Sequence, residues 1–210
     1  QLETHHAKEP DINIAIIGSG HIGSAIARAL VRAGQEVTLS NRRGPASLQP
    51  LLEELGPRAR AASVAQAAKA DLVFVAVNWS KIPSALEGLG DWGGRIVVDA
   101  NNPIEPPSFQ PIDLGGPSST EVFSELVPGA KVVKAFNHLP PQLLSGNPKA
   151  EGGRRVLFLS GDDAQAKGVV SQLITKLGFL PIDLGSPAQG GRLAQFPGGP
   201  LPALNLVAFG

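Results

Sequence analysis

Three glycines define the first chemical possibility in this chain. Gly18, Gly20 and Gly23 follow the pattern G-x-G-x-x-G in Gly18-Ser19-Gly20-His21-Ile22-Gly23, directly after the apolar run at 12–17. Their physical roles differ. Gly18 permits a tight turn, Gly20 lets the backbone approach a pyrophosphate, and Gly23 lets a helix pack closely on the preceding strand. Phosphate would sit at the helix N-terminus, where unpaired N–H groups and the positive end of the helix dipole favour anions. In a chain with 25 glycines the motif is weak by itself, and its setting strengthens it. Ile22, Ile26 and Leu30 share one helical face, Gly34 falls where a helix ends, and residues 36–40 read as a second strand. The pattern predicts a dinucleotide site.

The end of that second strand bears on which dinucleotide. An NAD enzyme usually places Asp or Glu there to accept hydrogen bonds from the ribose 2′-hydroxyl. This chain has Ser40-Asn41-Arg42-Arg43. No carboxylate repels a 2′-phosphate, and two guanidiniums can hold one through charge-assisted, bidentate hydrogen bonds. The expected cofactor is therefore NADP, against the plainer reading of Arg42 and Arg43 as a solvated loop pair.

In an open parallel sheet, ligands bind outside the carboxyl ends of the strands. The segments following the other expected strands are Asn78-Trp79-Ser80, Ala100-Asn101-Asn102-Pro103 and Asn137-His138-Leu139-Pro140. They are rich in amides and proline and supply no carboxylate. The chain has no Tyr and no Cys, and no Ser/His/Asp order places a nucleophile, so short-chain-dehydrogenase and hydrolase chemistry lose their usual groups. Hydride transfer between two rings needs neither; it needs stacked faces and amides that fix ring orientation. His21, Asn137 and His138 are the candidates nearest the chemistry, His21 touching phosphate or ring. His138 reads either as a titrating group or as a scaffold residue. Trp79 reads as a wall or a stacking platform, and Asp99 as a hydrogen-bonding strand end.

The elements that must position these residues alternate between strand and helix. Strands are expected at 58–62, 72–77, 96–99, 132–136, 156–159 and 179–183, with helices at 45–55, 63–69, 80–89 and 162–177. Ser118-Ser119-Thr120-Glu121 is a capping box that starts a helix stopped by Pro128-Gly129. The Pro/Gly-rich stretch 102–117 is long for a connector and suits a binding loop or lid. The expected fold is α/β: a doubly wound, mostly parallel, Rossmann-like sheet over residues 11–150, with a smaller strand–helix–strand extension at 151–210 closing the cleft. Net charge is zero, so neither nucleic acid nor a membrane surface is an expected partner. Absence of cysteine excludes disulfides and thiol chemistry, and no metal site is expected. With no apolar run of membrane-spanning length, a cytoplasmic protein is the expectation. Residues 1–10, with His5 and His6, read as an arm outside the fold.

The combination IIGSGHIG, VTLSNRRGPASL, LVFVAVNWSKIP, VVDANNP, VVKAFNHLPP and GRRVLFLSGDD followed by GFLPIDLG resembles the coenzyme F420-dependent NADP oxidoreductase family. It is also similar to the oxidoreductase domain of membrane metalloreductases. The likeness runs from Asn13 to about Leu206. It implies NADP lying across the glycine turn, with Ser40, Arg42 and Arg43 matching the 2′-phosphate clamp. It also implies that Asn78 and Trp79 match a pair beside the cofactor, that Asn137 matches an amide near the nicotinamide, and that a deazaflavin stacks on that ring. His21 stands where the family often has Asn, and Asn78 where it usually has Pro. The expected function is NADP(H)-dependent hydride transfer to a small redox cofactor, F420 or a flavin such as FMN or FAD. Two alternatives are an NADPH-sensing binding protein and a small carbonyl or imine reductase. The apolar tail at 201–209 is expected to close the cleft or to form a homodimer contact.

Overall fold

Continuous apolar runs rather than alternating ones build the centre of this molecule. Residues 14–17 and 72–75 are buried throughout, as strands of a parallel sheet covered by helices on both faces must be. The computed structural model describes residues 12–105 and 107–209; the arm expected at 1–10 lies outside them. In chain order the first half comprises β1 (Ile14–Ile17), α1 (His21–Arg32), β2 (Val37–Ser40), α2 (Gln49–Leu55), β3 (Ala59–Ala61), α3 (Val64–Ala67), β4 (Leu72–Val75), α4 (Ile82–Leu86) and β5 (Ile96–Asp99). A small hairpin follows, β6 (Ile104–Glu105) and β7 (Gln110–Pro111), then α5 (Ser119–Glu125), β8 (Lys131–Ala135), α6 (Pro141–Ser145) and β9 (Lys149–Ala150). The chain continues through β10 (Gly153–Gly161), α7 (Ala164–Lys176), β11 (Leu180–Asp183), α8 (Arg192–Ala194) and β12 (Val207–Ala208).

The main sheet runs β11-β10-β8-β5-β4-β1-β2-β3. From β3 to β8 every pairing is parallel, and β10 joins β8 antiparallel while pairing parallel with β11. The fold is thus doubly wound, mostly parallel and Rossmann-like. The strand order reverses beside β1: β2 and β3 extend to one side, β4, β5 and β8 to the other. This is the switch point at which such sheets open a crevice. One buried cluster joins Ile26 and Leu30 of α1 to Leu144, Val170 and Ile174. The other packs Ala67, Ile82 and Phe123 against the opposite face. The strands β10 and β11 of the expected extension share this sheet, because β10 pairs in register with β8 (Ser160 opposite Lys134).

Local differences from the sequence expectations have physical causes. The helix expected at 80–89 is a short 3₁₀ turn at Trp79–Lys81 followed by α4, which stops at Leu86 because Glu87 takes an extended conformation. The stretch at 102–117 carries the β6–β7 hairpin. The capping box forms as expected, with the Ser118 hydroxyl accepting from the Glu121 N–H and the Glu121 carboxylate accepting from the Ser118 N–H. Among the described residues no helix is long and apolar enough to cross a membrane.

Candidate active site

The glycine turn is shaped by what surrounds each glycine. Gly18 has φ +113°, and a Cβ there would lie 2.1 Å from the Ala76 carbonyl oxygen. Its N–H donates to the Ser40 carbonyl at 2.9 Å, so the turn is wedged between the ends of β2 and β4. A Cβ on Gly23 would lie 2.0 Å from the Gly18 carbonyl oxygen, which is why α1 can sit so close to β1. Gly20 differs: a Cβ there would meet nothing within 4 Å. It is the N-cap of α1, with no side-chain cap and no acidic residue in the first turn. No N-cap side chain therefore takes up the first amides of α1, and the positive end of the helix dipole lies behind them. This cradle fits a pyrophosphate.

A hydrogen-bonded chain organises the loop after β2. Asn41 Nδ2 donates to Ser19 Oγ at 2.9 Å, the Ser47 hydroxyl donates to Asn41 Oδ1 at 3.1 Å, and the Ser24 hydroxyl donates to the Ser19 carbonyl at 3.1 Å. Asn41 thus ties the glycine turn to the loop carrying the arginines. Arg42 and Arg43 are exposed; Arg42 Nη1 donates to Ser84 Oγ of α4 at 3.1 Å, reaching across the crevice. Ser40 is fully buried and its hydroxyl donates to the Ile16 carbonyl at 3.1 Å. The resemblance assigns Ser40 to the phosphate clamp; its side chain instead braces the turn from beneath, since its only proton is engaged inside the sheet.

At the other end of the crest lies a buried polar network. Asp99 closes β5 and Lys134 lies in β8; their side chains are 0% and 1% exposed and pair at 3.0 Å. Lys134 Nζ also donates to the Asn101 carbonyl and to Ser119 Oγ, giving its three protons three acceptors. Burial lowers the Lys134 pKa, and Asp99 opposes that shift. Asp99 Oδ1 accepts from both the N–H and the side-chain amide of Asn101, at 3.0 and 2.9 Å, and Oδ2 accepts from the Thr120 hydroxyl at 3.1 Å. Asn101 Oδ1 then accepts from the Val77 N–H at 2.8 Å.

Asn102 and Asn137 clasp one another. Asn102 Nδ2 donates to the Asn137 carbonyl at 2.8 Å, and Asn137 Nδ2 donates to Asn102 Oδ1 at 2.9 Å. The C-terminal segment closes over this clasp: Asn137 Nδ2 also donates to the Ala194 carbonyl at 2.7 Å, and the Phe196 N–H donates to Asn102 Oδ1 at 3.1 Å. Asn137 Oδ1 is buried without a hydrogen-bond partner. Phe136, just before it, is buried at φ +65°, a strained conformation for an aromatic residue, held by an edge-on contact with Phe74 at 5.2 Å. His138 is 3% exposed against Phe158, and neither ring nitrogen meets a hydrogen-bond partner. Burial pushes its pKa down to about 4, opposed by the nearby Val156 backbone.

The structure therefore brings Gly18, Ser19, Gly20, His21, Ile22, Gly23, Asn41, Arg42 and Arg43 to one end of the carboxyl crest. Asn101 and Asn137 lie at the other end, with exposed Asn78 and half-buried Trp79 between them. His21 is exposed at the start of α1, whereas His138 is enclosed. Adjacent strands lie about 4.8 Å apart, so the four steps from β2 to β8 span about 19 Å, room for an extended dinucleotide. Sequence reasoning missed Lys134 and Gln195, whose Oε1 accepts from the Ser119 N–H at 2.8 Å, and named Asn102 only as part of the segment after β5. One signal was a lysine inside the apolar run Val132 to Phe136. A cleft of about 930 Å³ lined by Asn13, Glu36, Arg58 and Lys176 lies at the amino ends of the strands, away from this crest. Among the described residues no group of three or more His, Cys, Asp or Glu side chains could hold a metal.

Residues 13–103 match the model of the family described as NADP oxidoreductase coenzyme F420-dependent. A hypothetical protein from Sinorhizobium meliloti has the same fold at TM-score 0.89, with 49% identity over 94% of this chain and 96% of that one. A crystal structure that carries the description of an F420-dependent NADP reductase, from Arthrobacter sp. FB24, superposes with TM-score 0.71. It is 34% identical over 83% of this chain and 85% of its own. Metalloreductase STEAP3 of Rattus norvegicus is 32% identical over 186 residues, covering 88% of this chain. The chain spans 36% of the length of that curated relative. With the uncapped glycine turn at the start of α1, these likenesses place the chain: it belongs to the coenzyme F420-dependent family of NADP oxidoreductases.

Proposed function

We propose that this chain binds NADP(H) along the carboxyl crest from the arginine loop to the Asn102–Asn137 clasp and exchanges a hydride with a planar redox ring, F420 or a flavin. The observation that carries the reading is the pairing of an open Gly20 cradle with a carboxylate-free loop bearing Arg42 and Arg43. In this reading the amides of His21, Ile22 and Gly23 hold the pyrophosphate. Arg42 and Arg43 hold the 2′-phosphate by charge-assisted hydrogen bonds, with Asn41 keeping their loop in register. Asn78, Trp79 and the asparagine clasp border the ring. NADPH supplies a hydride when bound. What the chain itself contributes is orientation and exclusion of water; such fixed geometry supplies much of the rate in a reaction that needs no nucleophile.

His138 does not serve as a proton donor in this scheme. It is enclosed, and with its pKa pushed down to about 4 its imidazole is neutral at neutral pH, without the imidazolium that serves as a general acid. That weighs against acid-assisted reduction of a carbonyl or imine. A second reading, delivery of electrons toward a metal, is favoured by the metalloreductase likeness. Exposed Leu204, Leu206 and Phe209 on the tail lead us to extend the proposal to a homodimer, which sedimentation would detect. The deciding experiment follows NADPH oxidation at 340 nm with F420, FMN, FAD and ferric chelates as acceptors. Turnover with F420 or a flavin supports the hydride reading; direct turnover with ferric chelate alone supports the second. Tight NADPH binding without turnover of any acceptor would make the chain a sensor.

A further inference from the structure

Asp99 and Lys134 form an ion pair at the heart of the crest that faces no ligand surface. Burying two charges is expensive, and well-packed apolar residues in their place are often as stable or more so, so stability alone does not account for the pair. Its hydrogen bonds converge on one residue. Asp99 Oδ1 accepts from the Asn101 N–H and side-chain amide, Lys134 Nζ donates to the Asn101 carbonyl, and the remaining Asn101 oxygen accepts from the Val77 N–H. Every polar atom of Asn101 is thereby fixed. Through it the backbone after β4 is locked to the end of β5, and Asn102, the next residue, is set for its clasp with Asn137. Thr120 and Ser119, at the start of α5, complete the pair's hydrogen bonds. From β10, Ser160 stands opposite Lys134 in register with its buried hydroxyl unpartnered.

We infer that the Asp99–Lys134 pair is a positioning device for the nicotinamide half of NADP(H), acting through Asn101 and Val77 without touching the cofactor. The inference rests on the NADP(H) reading above. The adenine half depends on other elements, α1 and the loop after β2, so the two halves of the ligand should respond independently.

The test compares two ligands, NADPH and 2′,5′-ADP, which retains only the adenine half with its phosphates. In Lys134→Met, calorimetry should give 2′,5′-ADP affinity within about twofold of the unaltered protein. NADPH affinity should fall about tenfold or more, with loss of the fluorescence gain of the bound reduced ring. The double variant Asp99→Asn with Lys134→Met removes both charges and should keep the same half-specific defect, because Asn101 still lacks its ammonium partner. In the unaltered protein the ¹⁵Nζ resonance of Lys134 should shift on adding NADPH and stay in place with 2′,5′-ADP; this measurement decides the matter if the variants do not fold. Equal losses for both ligands, unaltered NADPH affinity in a folded variant, or a Lys134 resonance indifferent to NADPH would overturn the inference. Failure of the unaltered protein to bind either ligand would instead overturn the NADP(H) reading beneath it.

Discussion

The two ends of the crest solve the same problem in opposite ways. At the β1–β2 end backbone amides and exposed arginines border the crest, and the side chains beneath them, Ser19, Asn41 and Ser47, are hydrogen-bonded in a chain. At the β5–β8 end lie buried amides held by a buried ion pair, a strained Phe136 and a C-terminal segment folded over the top. On the proposed reading phosphate, which carries full charge, would find its place by electrostatics, for which an open cradle suffices. On the proposed reading the reduced nicotinamide ring, which is neutral, would be placed at the other end by shape, which rigid surroundings supply.

The comparison breaks most sharply at the glycines. Gly18→Ala would put a Cβ 2.1 Å from the Ala76 oxygen at φ +113°, so stability should drop by about 4 kcal/mol, the joint scale of backbone strain and overpacking. Denaturant unfolding measures it. Gly20→Val enters open space and should leave stability within about 1 kcal/mol. It should weaken NADPH binding about a hundredfold, or about 3 kcal/mol. If Gly20→Val instead unfolds the protein while binding per folded molecule survives, the cradle is structural.

Next in size is the buried pair. Lys134→Met leaves Asp99 buried and unpaired, so unfolding free energy should fall by about 3–5 kcal/mol, and adding Asp99→Asn should recover much of it. A fall of under about 1 kcal/mol, the scale of exposed pairs, would contradict the burial described.

His138 sharpens the contrast through pH. Its pKa is about 4 in the fold against an ordinary 6.5, so below pH 6.5 the unfolded chain takes up the proton first. Stability is full above pH 6.5 and declines toward pH 4, by about 3 kcal/mol for this residue. His138→Leu should flatten that decline, and an unchanged acid profile would mean that the imidazole is solvated. At the phosphate end, replacing Arg42 and Arg43 by Ala should remove about 2 kcal/mol of preference for NADP over NAD. An unmutated protein that binds both equally would refute the clamp.

The same contrast explains what the sequence could reveal. The phosphate end is legible because its signals are local: Gly18, Gly20 and Gly23 lie within six residues, and Arg42 follows its own strand. The centre of the sheet is legible because doubly covered strands read as unbroken apolar runs. Key links of the β5–β8 end join residues far apart in sequence, such as Thr120 with Asp99, 21 positions apart, and Gln195 with Ser119, 76 positions apart, and no periodicity links them. Lys134 is hidden for a related reason: one lysine does not disturb a strand's pattern, and its partner lies on a different strand. Ser40 misleads in the opposite sense, since its position beside the arginines suggests a ligand contact while its hydroxyl points into the sheet. His138 looks available in an amide-rich turn and is enclosed by Phe158.

The most direct test of the central claim follows the hydride itself. NADPH carrying deuterium at C4 is incubated with the protein and F420, and the reduced deazaflavin is examined at C5, whose hydrogen does not exchange readily with water. Direct transfer between rings held on this crest predicts deuterium at that carbon, with loss of the transfer in Gly20→Val. Oxidation of NADPH with no label in the acceptor, or label transfer undiminished in Gly20→Val, would contradict it.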